Sequence, residues 1–295
     1  MRISVGAGTY VVAVSGGVDS MVLLDLLRQS PGAKLIVAHF DHGIRKDSIK
    51  DRQFVQCIAK KHGLPFAHKA GKLGPNTSEA KARTARYEFL RSVQKASGAK
   101  AIITAHHQDD ALETAIINIL RGSGRRGLTS IKSTNEIIRP MLGHNKEQIR
   151  DYAISHAVAW REDATNTDTK YLRNYIRANV LPKLSDGERA QLVILLEQQR
   201  EINENIDDNL IVILHVQPGI DTLDRAWFIR LPHDVAKEIL HSWLRRHGAK
   251  DVTKKTIERL IVAMKTGRVG SKVDVDNEIQ LHVSKNTLAL KHRER

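Results

Sequence analysis

The strongest constraint on the fold is a strand that runs directly into a two-glycine turn and then a helix. Tyr10 to Val14 is a short β-rich run, Ser15-Gly16-Gly17-Val18-Asp19-Ser20 is the turn, and Met21 to Arg28 reads as a helix. The alternation then repeats. Leu35 to Phe40 reads as a second buried strand, Asp47 to His62 as a helix stopped by Gly63, and Leu64 to His68 as a third strand. Ser78 to Ser97 reads as a long helix ended by Gly98, Lys100 to Ala105 as a strand, and Asp110 to Arg121 as a helix ended by Gly122. Strands alternating with helices predict βαβ units, hence an α/β fold with a doubly wound, mostly parallel sheet covered on both faces.

The pattern changes downstream. Lys146 to Leu184 reads mostly as helix around a polar loop from Arg161 to Thr169, and a long polar-rich helix follows from Asp186 to Leu214. Gln217, Pro218 and Gly219 break it. This predicts an α/β domain with a helical extension over 1–216 and a smaller α+β domain over 217–295. In the second, Asp234 to His247 and Thr253 to Lys265 read as amphipathic helices. Alternating strands close it, at Lys272 to Val275, Ile279 to Val283 and Thr287 to Leu290.

Aromatic residues are only 4% of the 295, so aliphatic side chains must build the core. Lys plus Arg number 47 against 33 Asp plus Glu, a formal charge of +14 that favours a phosphate-backbone partner. The single cysteine, Cys57, excludes an internal disulfide and a Cys-only metal or iron–sulfur site, and its helical setting predicts a buried, inert thiol. No apolar run approaches the ~20 residues of a membrane helix. The short apolar run at Val11 to Val14 lacks the flanks of a signal peptide, so a soluble cytoplasmic protein is expected.

The turn from Ser15 to Ser20 suits an anion. Gly16 and Gly17 permit close approach of a ligand. Exposed N–H groups and the following helix dipole favour a phosphate, and Ser15 and Ser20 add hydroxyl donors. This is not the Walker pattern, because no lysine follows the glycines. At the end of the second strand, His39-Phe40-Asp41-His42-Gly43-Ile44-Arg45 brings His39, Asp41, His42 and Arg45 to the edge where parallel sheets gather ligands. These types could hold a metal; neutral histidines that cap backbone groups and stack near a base are the preferred reading.

In Ser78-Glu79-Ala80-Lys81-Ala82-Arg83, followed by Arg86 and Tyr87, Glu79 fits a capping box under Asn76 as well as it fits a functional role. Arg83 and Arg86 share a helix face and can neutralise a phosphate in a transition state, against the competing reading of a solvated charged face. The run Thr104-Ala105-His106-His107-Gln108-Asp109-Asp110-Ala111-Leu112-Glu113-Thr114 again passes from strand to helix. Asp110 and Glu113 lie on one face of that helix. They suit Mg²⁺, or one of them suits a base for an amine nucleophile. Compensation of the helix dipole explains Asp109 and Asp110 but not the adjacent histidines. Leu120 to Leu128 reads as a flexible basic loop able to grip RNA phosphates, which its arginines favour over a solvated linker. Trp160, Asp163, Asn166, Asp168, Tyr171, Arg173, Asn174 and Arg177 form a polar loop feeding a basic helix.

SGGVDS resembles the pyrophosphate loop of the N-type ATP pyrophosphatases, which cleave ATP between the α and β phosphates and use the AMP half to activate a carbonyl oxygen. The ordered blocks SGGVDS, HFDHGIR, SEAKAR with RYEFL, AHHQDDALET, LRGSGRRGL, RPML and WREDATN resemble the tRNA(Ile)-lysidine synthetase family. The resemblance is dense over residues 10–183 and weaker through TGRVGSKVDV and LHVSKNTLAL. Ala164 departs from it, since the family usually has Pro there, and the chain looks like a short form without a second C-terminal domain.

This resemblance implies a two-step reaction with ATP and Mg²⁺. The 2-carbonyl oxygen of the wobble cytidine in a CAU-anticodon isoleucine tRNA is adenylated, and the ε-amine of free L-lysine then displaces AMP. Ser15, Gly16, Gly17, Val18, Asp19, Ser20, His39 and Asp41 would bind the nucleotide. Arg83, Arg86, Asp110 and Glu113 would be catalytic, with Asp110 the candidate Mg²⁺ ligand and the C-terminal domain binding tRNA. No membrane is implied, and a homodimer is left open. A tRNA 2-thiolation enzyme typically carries paired cysteines, which a lone Cys57 argues against. A small-molecule amide synthetase would not need the +14 charge, and intact SGGVDS and DDALET argue against a catalytically silent RNA-binding module.

Overall fold

A computed structural model of the chain describes residues 1–43, 48–71, 74, 77–162, 172–215, 221–250 and 252–293. Two compact units are present, Met1–Gln199 and Arg200–Arg295.

The first unit holds a parallel five-stranded sheet of β1 Gly8–Ala13, β2 Ala33–Asp41, β3 Phe66–Ala70, β4 Ala101–Ile103 and β5 Ile137–Ile138, in the order β3-β2-β1-β4-β5. Helix α1 Val18–Leu27 links β1 to β2, α2 Ser48–Lys61 links β2 to β3, and α3 Glu79–Ser97 links β3 to β4. The period-2 alternation of a strand sorts the side chains. Tyr10, Val12 and Val14 pack with Met21, Leu23 and Leu24 of α1, whereas Val11, Ala38 and Phe40 pack with Tyr87 and Leu90 of α3. Both faces are covered, as the near-continuous apolar strands require.

The chain winds outward from β1 to β3, then crosses back to place β4 on the other side of β1. The connections after β1 and β4 therefore leave in opposite directions and open a crevice at their carboxyl ends. Helix α4 Gln108–Leu120 follows β4, then the single turn α5 Arg125–Leu128, and β5. Helix α6 Lys146–Ser155 packs on α1 through Ile149, Tyr152 and Ala153. Helix α7 Leu172–Asn179 packs on α4 through Ile176. A 3-10 turn at Leu181–Lys183 and the long helix α8 Asp186–His215 complete the run.

In the second unit, β6 Thr222–Asp224, α9 Arg225–Arg230, α10 His233–Arg246 and α11 Lys254–Thr266 precede β7 Lys272–Asp274, β8 Ile279–Val283 and β9 Thr287–His292. The four strands form an antiparallel sheet ordered β6-β9-β8-β7 over a core that includes Trp243 and Phe228. This unit begins at Arg200, earlier than the expected 216/217 boundary, because Leu210 and Leu214 of α8 are buried in its core. The Gln217-Pro218-Gly219 break lies outside the described residues. No described helix is long and apolar enough to cross a membrane.

Two local expectations change. Cys57 is exposed. Helix α2 buries Val55 and Ala59 with Phe54 and Ile58 beside them, and Cys57 falls on the opposite side of that stripe. Helix α3 is capped by Ser78, whose hydroxyl accepts from Lys81 N–H at 3.3 Å, so Glu79 is its first residue and not the third. Asn76 lies outside the described residues.

Candidate active site

The turn after β1 is braced from within. The buried Ser20 hydroxyl accepts from the N–H groups of Ser15 and Gly16, each at 3.2 Å, and donates to Gly17 C=O at 2.9 Å. Gly16 takes a φ of +98°, where a side chain would be strained. Its carbonyl accepts from Arg161 N–H at 3.0 Å, and the Arg161 guanidinium meets Asp51 at 2.6 Å. Ser20 is thus committed to shaping the turn, while Ser15 is exposed above it. His39 is buried and braces the same turn, with Nδ1–H donating to Val14 C=O at 2.8 Å. Burial lowers its pKa, against the opposing pull of the Val14 bond and Asp41, and favours the neutral ring. Asp41 is buried and accepts from Gly43 N–H at 2.7 Å. Ile44 and Arg45 lie outside the described residues.

Across the crevice, the Asp110 carboxylate accepts from His107 N–H at 3.0 Å, and His107 Nε2 lies 3.5 Å from the same oxygen. Its other oxygen meets Arg177 Nη2 at 3.3 Å. Arg177 also grips Glu113 with a two-point fork, Nε to Oε1 at 2.6 Å and Nη2 to Oε2 at 2.9 Å. Glu113 is 0% exposed. Burial pushes its carboxyl above the ordinary value, with Arg177 opposing. Burial likewise works to raise Asp110, but His107, His106 and Arg177 outweigh it and hold that carboxyl low. Both oxygens of Glu113 accept from Arg177, which fixes that guanidinium beside Asp110. One turn earlier on the same helix face, Asp110 borders the crevice.

The two sides meet at Asp19. Its oxygens lie 2.5 and 2.7 Å from Lys146 Nζ and 3.9 Å from His107 Nε2, and its charge is felt at Arg177. Lys146 is the residue that motif reading missed. It stands 127 positions from Asp19, and only α6 packing on α1 brings it there. Arg83 and Arg86 of α3 lie over the Tyr87 ring at 5.0 and 5.5 Å, and their charges, with that of Arg139, are felt at His106. They thus flank the same block. Glu79 sits 3.7 Å from Arg173. Arg125 and Arg126 are half-buried in the helical turn α5, where Asn118 Nδ2 donates to Gly127 C=O at 2.7 Å, so the end of the expected loop is helical. Asp163, Ala164, Asn166, Asp168 and Tyr171 lie outside the described residues. Among those described, no three His, Cys, Asp or Glu side chains gather as a metal site.

A phosphate-binding turn at the β1–β4 switch of a parallel sheet, facing buried carboxylates and an arginine fork, defines a nucleotide-binding α/β protein. A PP-loop domain family model matches residues 3–184, and the chain belongs to that family of ATP-binding domains. A protein named tRNA(Ile)-lysidine synthase from Thermus thermophilus is 42% identical over 184 residues, covering 60% of this chain and 36% of the relative. A protein of the same name from Francisella tularensis subsp. holarctica is 29% identical over 295 residues, covering 96% of this chain and 73% of the relative. The chain thus spans well under half of the first relative's length. The U34-tRNA thiolase NcsA from Methanococcus maripaludis shares the fold, with a TM-score of 0.54, 18% identity, and coverage of 67% of this chain and 74% of that one.

Arg177→Met strands a carboxylate that has no exposure. We expect a loss of about 2–4 kcal/mol near neutral pH, below the full buried-pair value because Arg177 is partly exposed. The penalty grows as pH rises through the folded value of Glu113, itself above the ordinary 4.5, since only then does the wild-type group ionise against Arg177. Urea unfolding at two pH values checks this; an equal or smaller loss at the higher pH refutes it.

His106 gives a second handle. Burial lowers its pKa to about 3 from 6.5, helped by Arg139, Arg86 and Arg83 and opposed by Asp110. The folded value lies below the unfolded one, so the stability held by the neutral ring is complete above pH 6.5 and drains as pH falls toward 3. His106→Gln should flatten the acid limb of stability across that window. An unchanged limb in the variant rules the assignment out.

Proposed function

We propose that this chain is a tRNA(Ile)-lysidine synthetase. It adenylates the 2-carbonyl oxygen of the wobble cytidine of CAU-anticodon isoleucine tRNA, releases pyrophosphate, and exchanges AMP for the ε-amine of free lysine in the cytoplasm. The observation that carries the reading is the meeting of Asp19, Asp110 and Arg177, three residues from blocks far apart in the chain, at one crevice. The names of the aligned relatives supply the substrate class.

The chemistry follows from the residues present. Unpaired N–H groups of the first turn of α1 and its dipole receive the phosphates. Arg83 and Arg86 offset charge developing on the α-phosphate as pyrophosphate leaves. The 2-carbonyl oxygen of cytidine forms the bond to the α-phosphorus while the bond to the pyrophosphate oxygen breaks. In the second step the lysine nitrogen bonds to C2, the C2–O bond breaks to release AMP, and one amine proton is lost. Asp110 borders the crevice with its carboxyl held low, so it stays ionised and suits the ammonium of lysine. Arg177, fixed by Glu113, sets the orientation of Asp110. Mg²⁺ bound with ATP would neutralise phosphate charge. Asp19, the more exposed of the two carboxylates, would meet it once its oxygens part from Lys146, and Asp110 is the other candidate. The tRNA is held by the basic surface, including Lys254 and Lys255 of α11.

The test mixes the protein, ATP, Mg²⁺, radiolabelled lysine and bulk tRNA. Label should enter RNA, and only when all components are present; label-free RNA with active ATP turnover refutes the substrate assignment. In quenched single turnovers, Asp110→Ala should accumulate AMP-linked RNA, whereas Arg83→Ala should slow its formation. Wild-type rates for both steps in both variants would sink these roles.

A further inference from the structure

The turn Ser15 to Ser20 has no lysine of its own, and its one charged residue, Asp19, is negative. A carboxylate in the first turn of α1 suits the helix dipole but repels the phosphates that the same turn must receive. Lys146 answers this from another helix, with Nζ 2.5 and 2.7 Å from the two Asp19 oxygens.

Its location is poor for α6 itself. Lys146 is the first residue of that helix, the end at which a positive charge is unfavourable. The start of α6 is already secured by a reciprocal cap, Gln148 N–H to Asn145 Oδ1 at 2.8 Å and Asn145 N–H to Gln148 Oε1 at 3.1 Å. The pair is also not needed to hold α6 on α1. Ile149, Ala153 and Tyr152 do that within the core, and the Tyr152 hydroxyl donates to Asp25 at 3.0 Å. What remains is a lysine on a rigid base whose tip reaches the phosphate turn. The side chains of Lys146 and Asp19 are 37% and 29% exposed, so the pair is open to an incoming ligand. Exposed pairs of this kind are worth about 0–1 kcal/mol. Phosphate oxygens accept the same charge-assisted bonds as the Asp19 carboxylate and carry more negative charge, so a loosely held lysine can exchange partner.

We propose that Lys146 is the phosphate lysine of this loop, supplied from α6. It neutralises Asp19 before nucleotide enters, then transfers its ammonium to the β- and γ-phosphate oxygens and releases the Asp19 carboxylate. This deepens the reading of the crevice as an ATP site and rests on it.

The test uses the full chain with Mg²⁺ and inorganic pyrophosphate as the probe, titrated by calorimetry, with KM for ATP and melting temperature measured alongside. Lys146→Met should bind pyrophosphate about tenfold more weakly or worse and raise KM for ATP by a similar factor, with its melting temperature close to wild type. Lys146→Arg should stay within about threefold of wild type, because it keeps the charge and donors. Unchanged pyrophosphate affinity in Lys146→Met overturns the inference. So does a loss that appears only as a lower melting temperature, the signature of a structural pair; should Met unfold the chain, Lys146→Gln is read the same way. Lys146-dependent pyrophosphate binding in a wild type that puts no lysine into tRNA would sink the synthetase reading and leave the lysine assignment standing. Lysidine formation with normal pyrophosphate binding in the Met variant would do the reverse. A wild type that binds neither pyrophosphate nor ATP removes both.

Discussion

The hydrogen-bonding demand of a central parallel strand governs this molecule. β1 has β2 on one side and β4 on the other, so every backbone group along it must find a partner in the ladder. The ladder extends past the last strand residue, where Val14 N–H donates to Ala38 C=O at 2.9 Å. There it stops, and the backbone must turn. Ser20 and the positive φ of Gly16 satisfy the turn internally, and His39 takes the remaining Val14 carbonyl. The phosphate turn is thus the way in which a buried strand ends, and its geometry is anchored before any ligand contributes.

The position of β4 does the rest. Because the strand order reverses beside β1, the β4–α4 connection lies next to the phosphate turn without blocking it. This brings His107 and Asp110 toward Asp19. Charges this close need arrangement. Glu113 lies one turn deeper, has no solvent, and is matched by both arms of Arg177, which frees the outer edge of the guanidinium for Asp110. The carboxylates of the crevice are therefore graded by depth, from the fully buried Glu113 through Asp110 to the more open Asp19.

Much of this was legible in the sequence, for identifiable reasons. Runs such as Val11–Val14 and Leu35–Phe40 are too apolar for half-exposed strands, and glycines at 63, 98 and 122 end helices where only the left-handed region fits. The blocks flanking the crevice could be named because each sits at a strand end. What could not be read was pairing. Spacing places Asp110 and Glu113 on one helix face but is silent on an arginine 64 residues beyond Glu113 that occupies the deeper one. Cys57 was misplaced because helix periodicity fixes a buried stripe, not its phase, and Phe54, Val55, Ile58 and Ala59 set that phase. Strand β5, two residues long, carries too little pattern to be seen.

Lys146 shows how far local reading falls short. Within its own helix it is an ill-placed cation beside a good cap, and nothing in Asn145-Lys146-Glu147-Gln148 suggests phosphate chemistry. Its meaning comes from the tertiary contact of α6 with α1, which sets the lysine at the mouth of the turn. Walker-type loops carry the lysine in sequence and tie its position to the loop backbone. Here cation and cradle sit on separate elements joined by an apolar interface. In the role proposed for it, Lys146 follows the phosphates as pyrophosphate departs while the backbone of the turn keeps its hydrogen bonds. A loop that must bind a leaving group and then release it gains from holding its charge on a side chain and its shape in the backbone.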